Sequence, residues 1–207
     1  MKLALLSCVS ILALTAASPA RAEDAANEPL VIGATAPLTS VKMKGVDGSE
    51  LAIADVAGPK GTLVIFSCNA CPYAKAWEAR IVKIGNTSPK RGVGVIVINP
   101  NDPARVAEDG YEVMQRRADQ RGMRYPYVVD ATSEVARAFG ATRTPEAFLF
   151  DRDGRLVYHG AVDDNTKEAE VKARYLAQAL NSVIAGKKIA MAETKSIGCS
   201  IKFRKKA

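Results

Sequence analysis

Short apolar runs separated by turn residues make up most of this chain. Leu63-Val64-Ile65-Phe66 and Val95-Ile96-Val97-Ile98 are continuous, the second bounded by Gly94 and by Asn99-Pro100. Runs of this length without polar alternation predict strands covered on both faces. Between them Ala74, Trp77, Ile81 and Ile84 recur at spacings of three and four, which lays one apolar stripe along a helix. A second helix is predicted from Tyr111 to Gln120, with Gly122 as its stop, and Tyr127-Val128-Val129 reads as a short strand. Ser133 is placed to cap a helix of about two turns ending at Gly140.

Toward the end, Ala147 to Phe150 and Leu156 to Tyr158 flank Asp151-Arg152-Asp153-Gly154, which predicts a hairpin with glycine where a left-handed residue is needed. A long helical segment, Glu168 to Ile184, follows. At the other end, Gly45, Asp47-Gly48 and Gly58-Pro59-Lys60 break residues 33–60 into a hairpin or irregular lead-in. Strand and helix alternating first, then an antiparallel pair and a helix, describe an α/β sandwich with a mixed central sheet. No internal repeat is visible.

With 207 residues, 48% of them hydrophobic, the chain supports one core and hence one domain. Its first residues are read separately. Lys2 precedes an apolar run from Leu3 to Ala17, and Ala20-Arg21-Ala22 offers small residues where a signal peptidase reads, so residues 1–22 are expected to be a signal peptide cleaved before Glu23. Residues 23–29 then form a flexible lead-in to a domain spanning 30–204, and the protein is expected to be exported, periplasmic and soluble. Two other readings of the N-terminus are a lipid anchor at Cys8, within Leu5-Leu6-Ser7-Cys8, and an uncleaved membrane anchor.

Without residues 1–22, 27 basic residues stand against 22 acidic and three cysteines remain. Much of the basic excess sits at Lys187, Lys188, Lys195, Lys202, Arg204, Lys205 and Lys206. It is read as a solvated tail with at most weak contact to an anionic membrane surface. No aromatic interleaving or motif points to nucleic acid.

Cys68-Asn69-Ala70-Cys71-Pro72 lies between a predicted buried strand and a predicted helix. At a helix N-terminus the unpartnered amides and the macrodipole favour negative charge, so a thiolate at Cys68 is expected to be stabilised. Cys68 would attack a partner's disulfide and Cys71 would resolve the mixed disulfide. The dithiol carries two electrons, so no cofactor is required.

Thr144-Pro145, before the strand Ala147 to Phe150, resembles the proline loop of the thioredoxin superfamily. The resemblance implies a cis proline against the cysteine pair and a Thr144 backbone that pairs with substrate. Phe66 to Tyr73, Thr144 to Asp151 and Ile197-Gly198-Cys199-Ser200-Ile201-Lys202 together resemble one branch, the AhpC/TSA-type redoxins, over about Leu30 to Arg204. That implies a thioredoxin-like three-layer sandwich with an N-terminal redoxin-type extension. Two departures stand out. Ala70 replaces a histidine frequent in the branch, which argues for a milder potential, and Arg143 replaces a cysteine, where its charge would help Cys68 only by pointing toward it.

Cys199 is open between a third redox thiol and a small buried hydrophobe. Protein thiols or disulfides and a redox partner protein are the expected partners. Four alternatives stand against exchange. A metal site from Cys68, Cys71, Cys199 and His159 lacks a second closely spaced ligand pair. A structural disulfide across one helical turn would constrain little of the unfolded chain. An AhpC/TSA-type thiol peroxidase would want Pro and Thr or Ser where Gly61 and Ile65 stand. A redox-sensitive binding module without turnover is the fourth. Glu78, seven residues after Cys71, is read as an exposed helix residue rather than a proton shuttle.

Overall fold

The computed structural model describes residues 29–205; the predicted signal peptide and all but the last residue of the lead-in lie outside the described residues. A hairpin of β1 (Met43–Gly45) and β2 (Glu50–Leu51) leads into β3 (Gly61–Phe66). Then come α1 (Pro72–Thr87), β4 (Val93–Asn99), α2 (Tyr111–Arg121), β5 (Tyr127–Val129) and α3 (Glu134–Ala138). The chain continues through β6 (Arg143–Thr144), β7 (Glu146–Asp151), β8 (Leu156–Gly160), α4 (Tyr175–Ile184) and β9 (Cys199–Ser200). None of the described helices is long and apolar enough to cross a membrane.

The strands form two halves, β2-β1-β5-β4 and β3-β7-β8, which meet where β3 lies along β4 and the Ser67 amide donates to the Ile98 carbonyl. β4 and β5 are parallel, whereas β1 on β5, β3 on β7 and β7 on β8 are antiparallel, so the sheet is mixed. Its central strands are buried on both faces, and their side chains divide with the two-residue period of a strand. Leu63, Ile65, Val93, Val95, Val97, Ala147 and Leu149 face a core completed by Trp77 and Ile81 of α1 and Leu176, Ala179 and Leu180 of α4. Val64, Phe66, Ile96, Ile98, Phe148 and Phe150 face the other, completed by α3 and Phe139. Helices on both sides of one sheet give the expected three layers.

Phe148 shows how the second core is held. Its ring meets Phe66 and Phe139 edge-on, at 5.7 and 5.4 Å between centroids, and stacks on His159 at 4.4 Å. Phe148→Ala is expected to cost about 3–5 kcal/mol, because this space is walled by strands and cannot collapse. The shift in a urea unfolding midpoint measures it.

Three local expectations need correction. Ser133 does not cap α3: it has φ 57° and its hydroxyl donates to the Pro100 carbonyl, while the Asp130 carboxylate accepts from the Ala136 amide. The long helix from Glu168 is really a 3-10 turn at Glu168–Glu170 followed, after a break, by α4. Asp164 causes the break, since its carboxylate takes the Lys172 amide and its own amide takes the Ala173 carbonyl, leaving neither group for a helix. Finally, the basic C-terminal segment is not a free tail. Ile201 is buried, Phe203 packs on the second core, and the Arg204 amide donates to Ser133 Oγ.

Candidate functional site

Cys68 follows β3 by two residues, and Cys71 is the residue that caps the N-terminus of α1. Pro72 opens the helix, where the first turn needs no amide from it. Cys71, not Cys68, is therefore the cysteine closest to the helix amides. Both are buried, at 6% and 4% exposure, so access does not separate them.

The turn between them is held from outside by a residue that the sequence did not mark. Asp109, 3% exposed, accepts the Asn69 amide at 2.6 Å and the Ala70 amide at 3.2 Å through Oδ1. Its Oδ2 accepts from Asn101 at 2.8 Å. Asn69 is clamped in turn, its side chain donating to the Glu108 carbonyl and accepting from the Tyr127 hydroxyl. Asp109 carries no local signal, because it meets the turn from 40 residues away in sequence.

Thr144, fully buried, stands across from both sulfurs, and its peptide bond to Pro145 is cis. Its hydroxyl lies 3.2 Å from Cys68 Sγ, and its carbonyl lies 3.1 Å from Cys71 Sγ. Glu146 braces this loop: Oε2 accepts the Thr142 and Arg143 amides and Oε1 pairs with His159 Nε2 at 2.7 Å. His159 is thus turned to Glu146 and Phe148. Arg143 is exposed and points at the Gly198 carbonyl, away from Cys68. Glu78 is not the exposed residue expected from its place in the helix, since it is 11% exposed and paired with Arg117 and Arg121. Two arginines on one carboxylate make it a structural anchor.

Cys199 joins the cluster. It sits opposite Thr144 in the β6–β9 ladder, and its Sγ lies 2.6 Å from Cys71 Sγ. The main-chain edge of Thr144 that the resemblance implied for substrate is already paired with this strand.

The dithiol titrates as a unit. Cys71 is pushed down to about 4, first by its hydrogen bond with Cys68 and, against burial, by Cys199 and the Ala74 and Cys199 amides. Cys68 is pushed far up by the same bond to Cys71, by burial and by the charge of Asp109, against the Thr144 hydroxyl. The folded pair thus keeps one proton over a wide range.

Its pH signature follows. From about 4 up to the ordinary thiol range near ~8.5, the unfolded chain binds one proton more than the folded one, so the reduced protein gains stability as pH rises. Above that range the unfolded chain sheds the proton that Cys68 retains, and the trend reverses. Urea midpoints of the reduced protein at pH 5 and pH 8, set against Cys71→Ser, are expected to show the parent gaining on the variant.

Residues 32–159 match the AhpC/TSA family. A crystal structure of an uncharacterized conserved protein from Geobacillus kaustophilus is 33% identical, with a TM-score of 0.79 over 86% of this chain and 94% of that one. A thioredoxin-family thiol:disulfide interchange protein from Chlorobium tepidum shares the fold at 21% identity, with a TM-score of 0.57 over 74% of this chain and 98% of its own. The thiol-disulfide oxidoreductase ResA of Halalkalibacterium halodurans is 24% identical over 115 residues, 56% of this chain. The match spans about three fifths, 61%, of that relative's length.

Proposed function

The chain belongs to the AhpC/TSA family within the thioredoxin-like fold, and from that membership we propose that it is a thiol-disulfide oxidoreductase acting on partner proteins through Cys68 and Cys71. The observation that carries this is two buried sulfurs brought against one residue, the Thr144 hydroxyl 3.2 Å from Cys68 Sγ and its carbonyl 3.1 Å from Cys71 Sγ. The pair keeps one proton, and its two positions meet Thr144 differently. With Cys71 as thiolate, the proton lies on Cys68. With Cys68 as thiolate, the Thr144 hydroxyl donates to it and the Thr144 carbonyl accepts from a protonated Cys71.

The second arrangement starts the reaction. Cys68 attacks one sulfur of a partner disulfide, a mixed disulfide forms, and the other partner sulfur leaves and takes the proton from Cys71. The Cys71 thiolate then attacks Cys68, closes the Cys68–Cys71 bond and releases the second partner thiolate. Two electrons pass from the dithiol to the partner disulfide, and the reverse sequence oxidises a partner dithiol.

A glutathione redox series, with thiols trapped by alkylation and disulfides located by mass spectrometry, tests this reading. A reversible Cys68–Cys71 bond with a potential above about −300 mV is expected. A bond that stays closed far below that value, or thiols that never pair, would overturn it. We place the activity outside the cytoplasm, on the signal-peptide pattern of residues 1–22. Protein recovered from the periplasm should then begin at Glu23, and an intact Met1 there would refute cleavage.

A further inference from the structure

We propose that Cys199 is a third redox thiol, and that strand β9 is a substrate built into the chain, whose bond to Cys71 exchanges with the Cys68–Cys71 bond. This rests on the dithiol reading above and adds where its disulfide goes next.

Three observations lead there. The first is distance: the Cys71 and Cys199 sulfurs, 2.6 Å apart, need to close by only about half an ångström to reach a disulfide bond length. Next, β9 is a two-residue strand laid antiparallel on β6, so Cys199 is presented beside Thr144 as an added strand would present a side chain. Last, the approach is built in at Gly198. A Cβ there would stand 2.3 Å from the Thr144 carbonyl oxygen and 2.7 Å from its carbon, both backbone atoms that cannot turn aside. Only glycine lets the strand lie this close. The segment is tacked down on both sides, Thr194 hydrogen-bonding to Tyr158 and Ala161 and the Lys202 amide to Asn101, so β9 is held at the dithiol rather than drifting past it.

The step is an isomerisation and needs no further oxidant. Once a partner disulfide has oxidised Cys68 and Cys71, Cys199 loses its proton and its sulfur attacks Cys71. The Cys68–Cys71 bond breaks as the Cys71–Cys199 bond forms, and Cys68 leaves and takes a proton. One disulfide is present before and after. Oxidation also primes the attack. In the dithiol, Cys199 is held up to about 11 by burial and by its hydrogen bond and charge interaction with Cys71, while Lys202 opposes. When Cys71 enters a disulfide its negative charge is gone, and with it part of what keeps Cys199 protonated. The product ties β9 covalently across the Thr144 edge that it already covers, so an extended partner segment can pair with that edge only after the strand is released.

The test uses the full chain titrated with reduced and oxidised glutathione, acid-quenched, alkylated and mapped by mass spectrometry. In Cys68→Ser, Cys71 is expected to pair with Cys199 within the molecule at least about tenfold more than with glutathione, because the two sulfurs share a high effective concentration. In Cys68→Ser combined with Gly198→Ala, which keeps both sulfurs and pushes β9 off, that ratio is expected to fall about tenfold or more. Cys68→Ser carrying only glutathione at Cys71, or a Gly198→Ala chain that pairs Cys199 as readily as its parent, would overturn the proposal. The parent chain in the same series separates the two readings. A reversible Cys68–Cys71 bond with Cys199 always free sinks the third thiol alone, whereas Cys68 and Cys71 that never pair sink the exchange reading itself.

Discussion

Cys71→Ser is expected to lower disulfide-exchange turnover by about a thousandfold or more, while leaving Cys68 bonded to any partner it attacks. A serine hydroxyl is not ionised in the range where Cys71 is a thiolate, so the resolving step has no nucleophile. Two properties should change with it. The variant loses the acid-shifted thiolate, so alkylation of its remaining thiols near pH 5 should nearly cease. It should also accumulate mixed disulfides at Cys68, which gel mobility with and without reductant detects. A partner held equally by Cys68→Ser/Cys71→Ser would point instead to a binding module without turnover. Retained turnover in Cys71→Ser would show that Cys199 alone resolves the mixed disulfide.

Asp163→Ala is expected to destabilise the fold by about 3–5 kcal/mol. Asp163 is 2% exposed and accepts from Trp77 Nε1 at 2.6 Å and from Arg80 Nη1 at 2.5 Å. Arg80 is itself buried and spends its other donors on the carbonyls of Ala76, Asn165 and Thr166. Removing the carboxylate therefore leaves a guanidinium in the core with nothing to balance its charge. Replacing both partners by apolar residues, as in Arg80→Met with Asp163→Leu, should recover much of the loss, because the cost lies in the orphaned charge rather than in the missing contact. Urea unfolding of the three chains reads this directly. A loss below about 1 kcal/mol for Asp163→Ala would mean that water reaches Arg80.

Both experiments concern residues whose roles differ in how visible they were. The three long apolar features, β3, α1 and β4, were legible because burial on both faces of a sheet, or along one stripe of a helix, writes a period into the sequence. The hairpin of β7 and β8 was legible because Gly154, at φ 70°, occupies a turn that a β-carbon would strain. The helix from Glu168 was misjudged for the opposite reason. Its composition suits a helix, but Asp164 captures the amide and carbonyl that the helix would use, and a competing hydrogen bond leaves no periodic trace.

The sequence by itself determined the layered α/β architecture and the cysteine pair between a buried strand and a helix, because these depend on neighbours within one or two turns of chain, whereas a Thr144-Pro145 loop facing the pair was implied only by the family resemblance. Only the tertiary structure decided which cysteine takes the helix terminus, that Asp109 holds the turn, that Arg143 points away, and that Glu78 is anchored by two arginines. It alone brought Cys199 to Cys71, 128 residues apart in sequence. Electrostatics and sulfur chemistry act over a few ångströms of space, and distance in space becomes known only when the strands have been laid side by side.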